Sequence, residues 1–298
     1  MKKITNLLFA SLLVVAGSTS AFAADAAKNS DAENFLRPIN VQNAYIDTDK
    51  KWETRVNFDW ARRSQGLGGA RLRQNSFNLP RVEVRRSFDT PIPTRIGLSQ
   101  SLNAGVNSLS GVFGPLYDNS AFGFGNLGIT LEAALVNKKE FASTLYFNQQ
   151  IPFAHSTSLN NALWRPTNGT DAYSFQTGLQ TQFDLFTENL KVYSDLGYRY
   201  DDFDKDVVGH SFVYSTEAVL DTNTPVNLSL GMLGMTTYDN KHLSSRGAYL
   251  GGTDIRLVPG LIIPIGEDKN TQFRLGFPIG VTNDAADFGV QASLFAAL

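Results

Sequence analysis

Trp52-Glu53-Thr54-Arg55-Val56-Asn57-Phe58-Asp59-Trp60 decides the fold. Trp52, Thr54, Val56, Phe58 and Trp60 fall on one side of an extended chain, and Glu53, Arg55, Asn57 and Asp59 on the other. A period of two marks a strand whose faces meet different surroundings. The pattern recurs at Tyr173, Phe175, Leu179 and Phe183 against Ser174, Gln176, Gly178, Gln180 and Gln182. It recurs again at Phe273, Leu275, Phe277, Ile279 and Val281 against Arg274 and Gly276. No segment after Trp52 carries a helical stripe.

Twelve strands follow, at 52–62, 77–88, 94–107, 125–137, 140–151, 171–185, 189–201, 211–221, 224–236, 247–265, 270–281 and 286–298. Most span 11–15 residues, where ordinary globular strands run to about 5–6 and tilted membrane strands need about 9–11. The connections alternate in length. Asp89–Pro93, Lys138–Lys139, Thr187–Asn189, Asp221–Pro225 and Glu267–Asn270 are short. Ala61–Ser76, Ser108–Gly125, Pro152–Thr170, Asp201–His210 and Thr237–Arg246 are long and polar, and only Thr282–Ala286 breaks the series. Short periplasmic turns opposite longer extracellular loops are the habit of outer-membrane barrels, and an even strand count puts both termini on the periplasmic side. A soluble β-sandwich would explain the alternation, but with shorter strands and no loop asymmetry. The reading is therefore all-β: a single antiparallel transmembrane β-barrel of about twelve strands. Ten or fourteen stay open, because 247–265 is long and 104–113 ambiguous. Trp52, Trp60, Tyr198, Tyr200 and Tyr214 lie towards strand ends, where interfacial aromatic girdles occur.

Upstream, Lys2 and Lys3 precede the apolar stretch Leu7–Gly17, and Ala21-Phe22-Ala23 supplies small residues for a signal peptidase. That is the layout of a cleaved signal peptide over 1–23, its apolar run too short to span a bilayer. Residues 24–51 are polar and read as an extension or a lumen plug, and 52–298 as the barrel. The chain of 298 residues holds no Cys, three His, and 26 Lys plus Arg against 28 Asp plus Glu. Disulfides and thiolate metal sites are excluded, and a net charge of −2 gives no support for nucleic-acid binding.

The final strand alternates through Phe288, Val290, Ala292, Leu294, Ala296 and Leu298. This resembles the C-terminal recognition signal of bacterial outer-membrane proteins, with Leu298 in place of the usual aromatic residue. The barrel-assembly machinery is thus an expected partner, alongside outer-membrane lipid, lipopolysaccharide and a small-molecule solute. Phe122-Gly123-Phe124-Gly125-Asn126-Leu127-Gly128-Ile129 resembles a glycine-rich strand start of the outer-membrane family linked to phenol degradation by the meta pathway. Thr94-Arg95-Ile96-Gly97-Leu98-Ser99 resembles an arginine-containing strand start there. Leu196-Gly197-Tyr198-Arg199-Tyr200 and Val258-Pro259-Gly260-Leu261 fit later strands of that family. The resemblance covers roughly 75–298, and Asn126 departs from it where an acidic residue is expected. It implies passage of small, often apolar or aromatic compounds through the outer membrane.

The inward parity gives Arg55, Arg81, Arg85, Arg95, Glu132, Lys191, Arg199 and Arg256 as lumen-lining candidates. Glu53, Asp59, Glu83, Asp195, Glu217, Asp254 and Arg274 share that face. Two readings compete. The charges line a narrow wet pore and tune which solutes pass, or they pair across the lumen and brace a closed barrel. The candidate function is diffusion of small molecules across the outer membrane, with no cofactor. The alternatives are an enzyme at the extracellular rim and a closed barrel whose loops bind a partner. For catalysis, His155, His210 and His242 lie in or beside loops near Ser156, Ser158 and Ser211, but no third group orients a base. Asp201, Asp202, Asp204 and Asp206 lack the Gly and Glu of a calcium loop and read as a solvated acidic loop.

Overall fold

A computed structural model describes residues 36–67, 70–111, 114–152, 173–204, 207–238, 252–266, 269–283 and 285–298. The chain forms one closed antiparallel barrel. Its strands are β1 (Trp52–Leu67), β2 (Ala70–Phe88), β3 (Thr94–Gly111), β4 (Gly114–Asn137), β5 (Phe141–Ile151), β6 (Tyr173–Leu185) and β7 (Thr187–Asp204). There follow β8 (Val207–Leu220), β9 (Asn227–Thr237), β10 (Gly252–Ile265), β11 (Thr271–Gly276), β12 (Ile279–Gly280) and β13 (Phe288–Ala297). Both β11 and β12 pair with β10 and with β13. They are one stave interrupted at Phe277-Pro278, so the barrel wall has twelve staves. Neighbours pair in chain order, and β1 closes on β13 from Glu53↔Ala297 to Arg62↔Phe288.

The parity read from Trp52–Trp60 holds around the wall. Glu53 and Arg55 are buried, while Phe58, Leu98, Leu131, Leu145, Leu196, Leu230 and Leu294 are exposed on the outside. Residues that would be mispositioned on a soluble protein instead form an apolar belt, and closure leaves the sheet with no open edge in lipid. Trp60 packs edge-on against Phe288 across the β1–β13 seam.

Three stretches expected as loops are ladder. Pairing continues to Leu67↔Ala70 between β1 and β2, to Gly111↔Gly114 between β3 and β4, and to Asp204↔Val207 between β7 and β8. The β1–β2 and β7–β8 hairpins are mostly polar because they rise beyond the apolar belt, so loss of hydrophobicity there marks the end of lipid and not the end of the strand. The register shift between Asn78 and Arg81 falls at Leu79-Pro80, where proline has no N–H to give to a ladder. At the other end the β6–β7 turn is tighter than expected, with Phe186 alone at φ 62° between the two strands. The signal segment 1–23 and all of 153–172 and 239–251, with His155 and His242, lie outside the described residues.

Small inward residues let the wall and its contents come close. Gly178 faces Gly197 across β6–β7, and Tyr146 lies against both, its ring edge at Gly178 and its hydroxyl at Gly197. A Cβ on Gly178 would run into the Leu196 carbonyl and stand 2.7 Å from Gly197 Cα and 2.8 Å from Tyr146 Cε1. Backbone cannot yield as a side chain can. Gly178→Ala is therefore expected to lower stability by about 1–3 kcal/mol, read from urea unfolding of the protein in phospholipid vesicles by tryptophan fluorescence. At Gly234 the nearest atoms to an added Cβ belong to the Tyr214 side chain, which can move, so Gly234→Ala should cost less.

Candidate functional site: a lumen occupied from the N-terminal side

Residues 36–50 run inside the barrel, and Leu36, Ile39, Val41, Ala44 and Ile46 are buried there. A chain without its own secondary structure must find partners for its backbone groups when it leaves water. The inward side chains supply them. Ile39 and Asn40 N–H donate to the two oxygens of Glu217 at 2.8 Å each, and Val41 N–H reaches the same carboxylate at 3.4 Å. Arg37 N–H donates to Gln272 at 2.9 Å and Tyr45 N–H to Gln182 at 3.0 Å. Ile46 and Asn137 exchange two hydrogen bonds of 2.9 Å. The segment's carbonyls are served in turn by Tyr193 at Leu36 (2.7 Å), Arg274 at Pro38 (2.6 Å), Arg95 at Asn43 (2.7 Å) and Thr144 at Ala44 (2.6 Å). Leu36, Ile39 and Val41 pack with Tyr193, Val219 and Ile262 from the wall. Burial, reinforced by the nearby Asp47 charge, holds the Tyr45 phenol above its ordinary pKa, so it stays neutral.

The same segment joins a buried ion-pair network on β1–β4. Arg95, with no exposed surface, bonds Glu132 and lies 3.2 Å from Glu53. Arg85 lies 2.5 Å from Glu83 and 3.4 Å from Glu132, and Arg37 lies 3.4 Å from Glu53. Arg55, opposite Glu83 in the β1–β2 register, is buried beside them. The pairs differ from those the strand order suggests: Glu53 faces Arg85 in register but bonds arginines from β3 and from the N-terminal segment. Arg37 and Arg274 both stack on Phe295, at 5.7 and 5.2 Å. A cavity of about 10 Å³ remains among Arg37, Gln42, Asn43, Glu53, Arg55, Glu83 and Arg85, room for about one water.

The eight candidate residues separate into two groups and one residue apart, Arg81. Arg55, Arg85, Arg95 and Glu132 belong to the buried network. Lys191, Arg199 and Arg256 are partly exposed, each beside a carboxylate: Asp184 at 3.0 Å, Asp201 at 2.8 Å and Asp254 at 2.9 Å. Arg81 is half-buried, level with Asn57 and Ser101. Asp201 is not a solvated loop residue. It is buried on β7, bonded to Ser174 and Arg199. His210 lies on β8 against Tyr198 and Tyr200, while the adjacent Ser211 is buried and bonds Thr237 at 3.0 Å. Consecutive strand residues point to opposite faces, so these two do not form a Ser–His pair.

Sequence reading placed Glu217 on the inner face but gave it no role, and it missed Tyr146. The Tyr146 hydroxyl donates to Asp195 at 2.8 Å and accepts from Gln176 at 2.6 Å. A lone inward Glu flanked by no basic residue, as in Ser215-Thr216-Glu217-Ala218-Val219, was the available signal for Glu217. At the end bearing the short turns, a cavity of about 400 Å³ opens beside Leu36, lined by Lys139, Asp184, Lys191, Tyr193, Val219 and Asp221 among others. On the other side of the lumen, Val213, Leu233, Met235 and Val258 set apolar side chains among Glu217, Asp254 and Arg256 on the inner face of β8–β10.

No protein-family model matches the chain, and no curated protein matches it. Solved structures do. The COG4313 outer membrane channel from Pseudomonas putida F1 aligns at a TM-score of 0.56 with 11% identity, over 89% of this chain and all of that one. The NanC porin aligns at 0.46 with 5% identity, over 83% of this chain and 98% of its own. The KdgM porin, solved with oligogalacturonate, aligns at 0.44 with 7% identity, over 82% and 99%. At 11% identity, the first of these speaks for the fold, an outer-membrane β-barrel. The apolar outer belt agrees, and the chain is an outer-membrane protein.

Arg95 is the junction of the network, and removing one member strands its partners in a dry site. Arg95→Ala is expected to lower stability by about 3–5 kcal/mol. A double replacement of Arg95 and Glu132 by Met and Leu should recover much of that loss. Urea unfolding midpoints of the three proteins check both statements.

Proposed function

We propose that the protein is an outer-membrane channel for diffusion of small molecules, with residues 24–51 as a plug after removal of a signal peptide over 1–23. The observation that carries this reading is the seating of 36–50 on inward side chains of β1, β3–β8 and β11 by hydrogen bonds and ion pairs, with no covalent tie. A plug held this way can be loosened one contact at a time. Arg55, Arg85, Arg95 and Glu132 brace the plugged side, while Arg81, Lys191, Arg199 and Arg256 line the remaining path. The protein is not an enzyme in this reading. The COG4313 protein named above is described as a channel, which supports transport as the class of function.

The solute in this proposal is small and apolar or aromatic. Support comes from the apolar lumen positions Val213, Leu233, Met235 and Val258, set around the Asp254–Arg256 pair and away from the ion-pair network of β1–β4. It accords with the resemblance to the phenol meta-pathway outer-membrane family. Lipopolysaccharide around the barrel and the assembly machinery at the last strand complete the proposed partners.

Glu217 accepts from three consecutive N–H groups of the plug, so Glu217→Ala is the test. Single-channel recording in planar bilayers should show the step size rise by at least about twofold over wild type. Deleting 36–46 should raise it further. If the deletion variant, shown folded by heat-modifiable migration, conducts no more than wild type, the channel reading fails.

A further inference from the structure

The outward face of β1–β3 is mostly apolar towards the end bearing the short turns, with Thr54 and Gln100 as neutral polar positions and one charged one. Val56, Phe58, Val82, Val84, Ile96 and Leu98 lie on that face. Arg86, two residues before the end of β2, is exposed among them. Its register neighbours are Trp52 on β1 and Ile96 on β3, which are 39% and 42% exposed. Its guanidinium carbon stands 5.1 Å from the Trp52 ring and 5.2 Å from the Phe88 ring. Two aromatic contacts hold the group in place, and among the described residues no carboxylate lies within ion-pair distance of it.

A guanidinium on a lipid-facing wall needs an anion or water at its edge. Trp52 opens the first strand at the periplasmic border, the level at which interfacial aromatic residues meet headgroups. The anion available at that depth is a phosphodiester, and a guanidinium fork matches two phosphate oxygens. The nearby charges are Lys51 and Asp89, both exposed at the rim. Lys51 favours an anion, and Asp89 opposes it from the turn.

The geometry points to a phospholipid site on the barrel's outer wall: Arg86, clamped by Trp52 and Phe88, binds the headgroup phosphate of a phospholipid in the periplasmic leaflet. The acyl chains would lie along Val84, Ile96, Leu98 and Phe58. The site is separate from the lumen and stands whether or not the barrel conducts.

Native mass spectrometry of the folded protein, released from detergent after incubation with phosphatidylglycerol, tests this. Wild type should retain one phosphatidylglycerol, whose net negative charge suits an unpaired guanidinium beside Lys51, in preference to phosphatidylethanolamine, whose ammonium offsets its phosphate. Arg86→Gln should lower the retained fraction about tenfold, and Arg86→Lys, which keeps charge but not the fork, should fall between. Trp52→Leu, which removes a ring and no charge, should also weaken retention. Should Arg86→Gln fail to fold, the Lys and Leu variants carry the test. Retention unchanged in the folded variants, or equal for both lipids, overturns the assignment. Displacement by lipid A in preference to phospholipid would overturn the periplasmic placement.

Discussion

Every backbone N–H and C=O in the hydrocarbon layer must be paired within the protein, and a sheet meets that demand only by closing on itself. Here the closure falls between the first and last strands. Trp52 N–H donates to the Leu298 carbonyl at 3.0 Å and Leu298 N–H returns to Trp52 at 2.7 Å. The seam then runs ten residue pairs to Arg62↔Phe288. Once closed, the wall separates two environments, and each strand's alternate residues are assigned to one or the other. The apolar belt, the inward charges and the lumen itself all follow from that seam.

Inside the wall the problem is reversed. Polar side chains facing a narrow interior need partners, and extended chain threading that interior needs them too. The two needs meet in 36–50. Its amides find Glu217, Gln182, Gln272 and Asn137, and its carbonyls find Tyr193, Arg274, Arg95 and Thr144. Arg37 meanwhile adds a positive group beside Glu53. Wall and segment are complementary, so neither is fully satisfied alone.

The barrel was legible because a period of two survives any detail of packing. Trp52–Trp60 alone assigns inside and outside, and strand starts such as Thr94 and Trp52 emerged at their observed places. The upper hairpins were not legible. Arg71 to Ser76 is almost wholly polar where lipid ends, and polarity looks the same for paired strand and for loop. Ser108 to Asn119 mixes Leu109, Leu116 and Tyr117 with Ser, Gly and Pro and shows no clean period of two. The seating of 36–50 was hidden for another reason. Its bonds run from backbone to side chains far along the chain, such as Arg37 to Gln272, and backbone donors leave no trace in residue identity. Arg95 and Glu132 could be placed inward, yet only the barrel's curvature brings Glu53 to the same point.

The seating of 36–50 also orders the birth of the molecule in time. The segment leads the barrel in the chain, yet its partners lie on β1, β3, β4, β5, β6, β7, β8 and β11. Contacts of such sequence separation are closed late, because the intervening chain must first be ordered. A segment that precedes the whole wall in the chain is therefore among the last parts to find its place. Until most of the wall stands, Leu36, Ile39 and Val41 have nothing to rest against, and docking of this strip reports that assembly is nearly done.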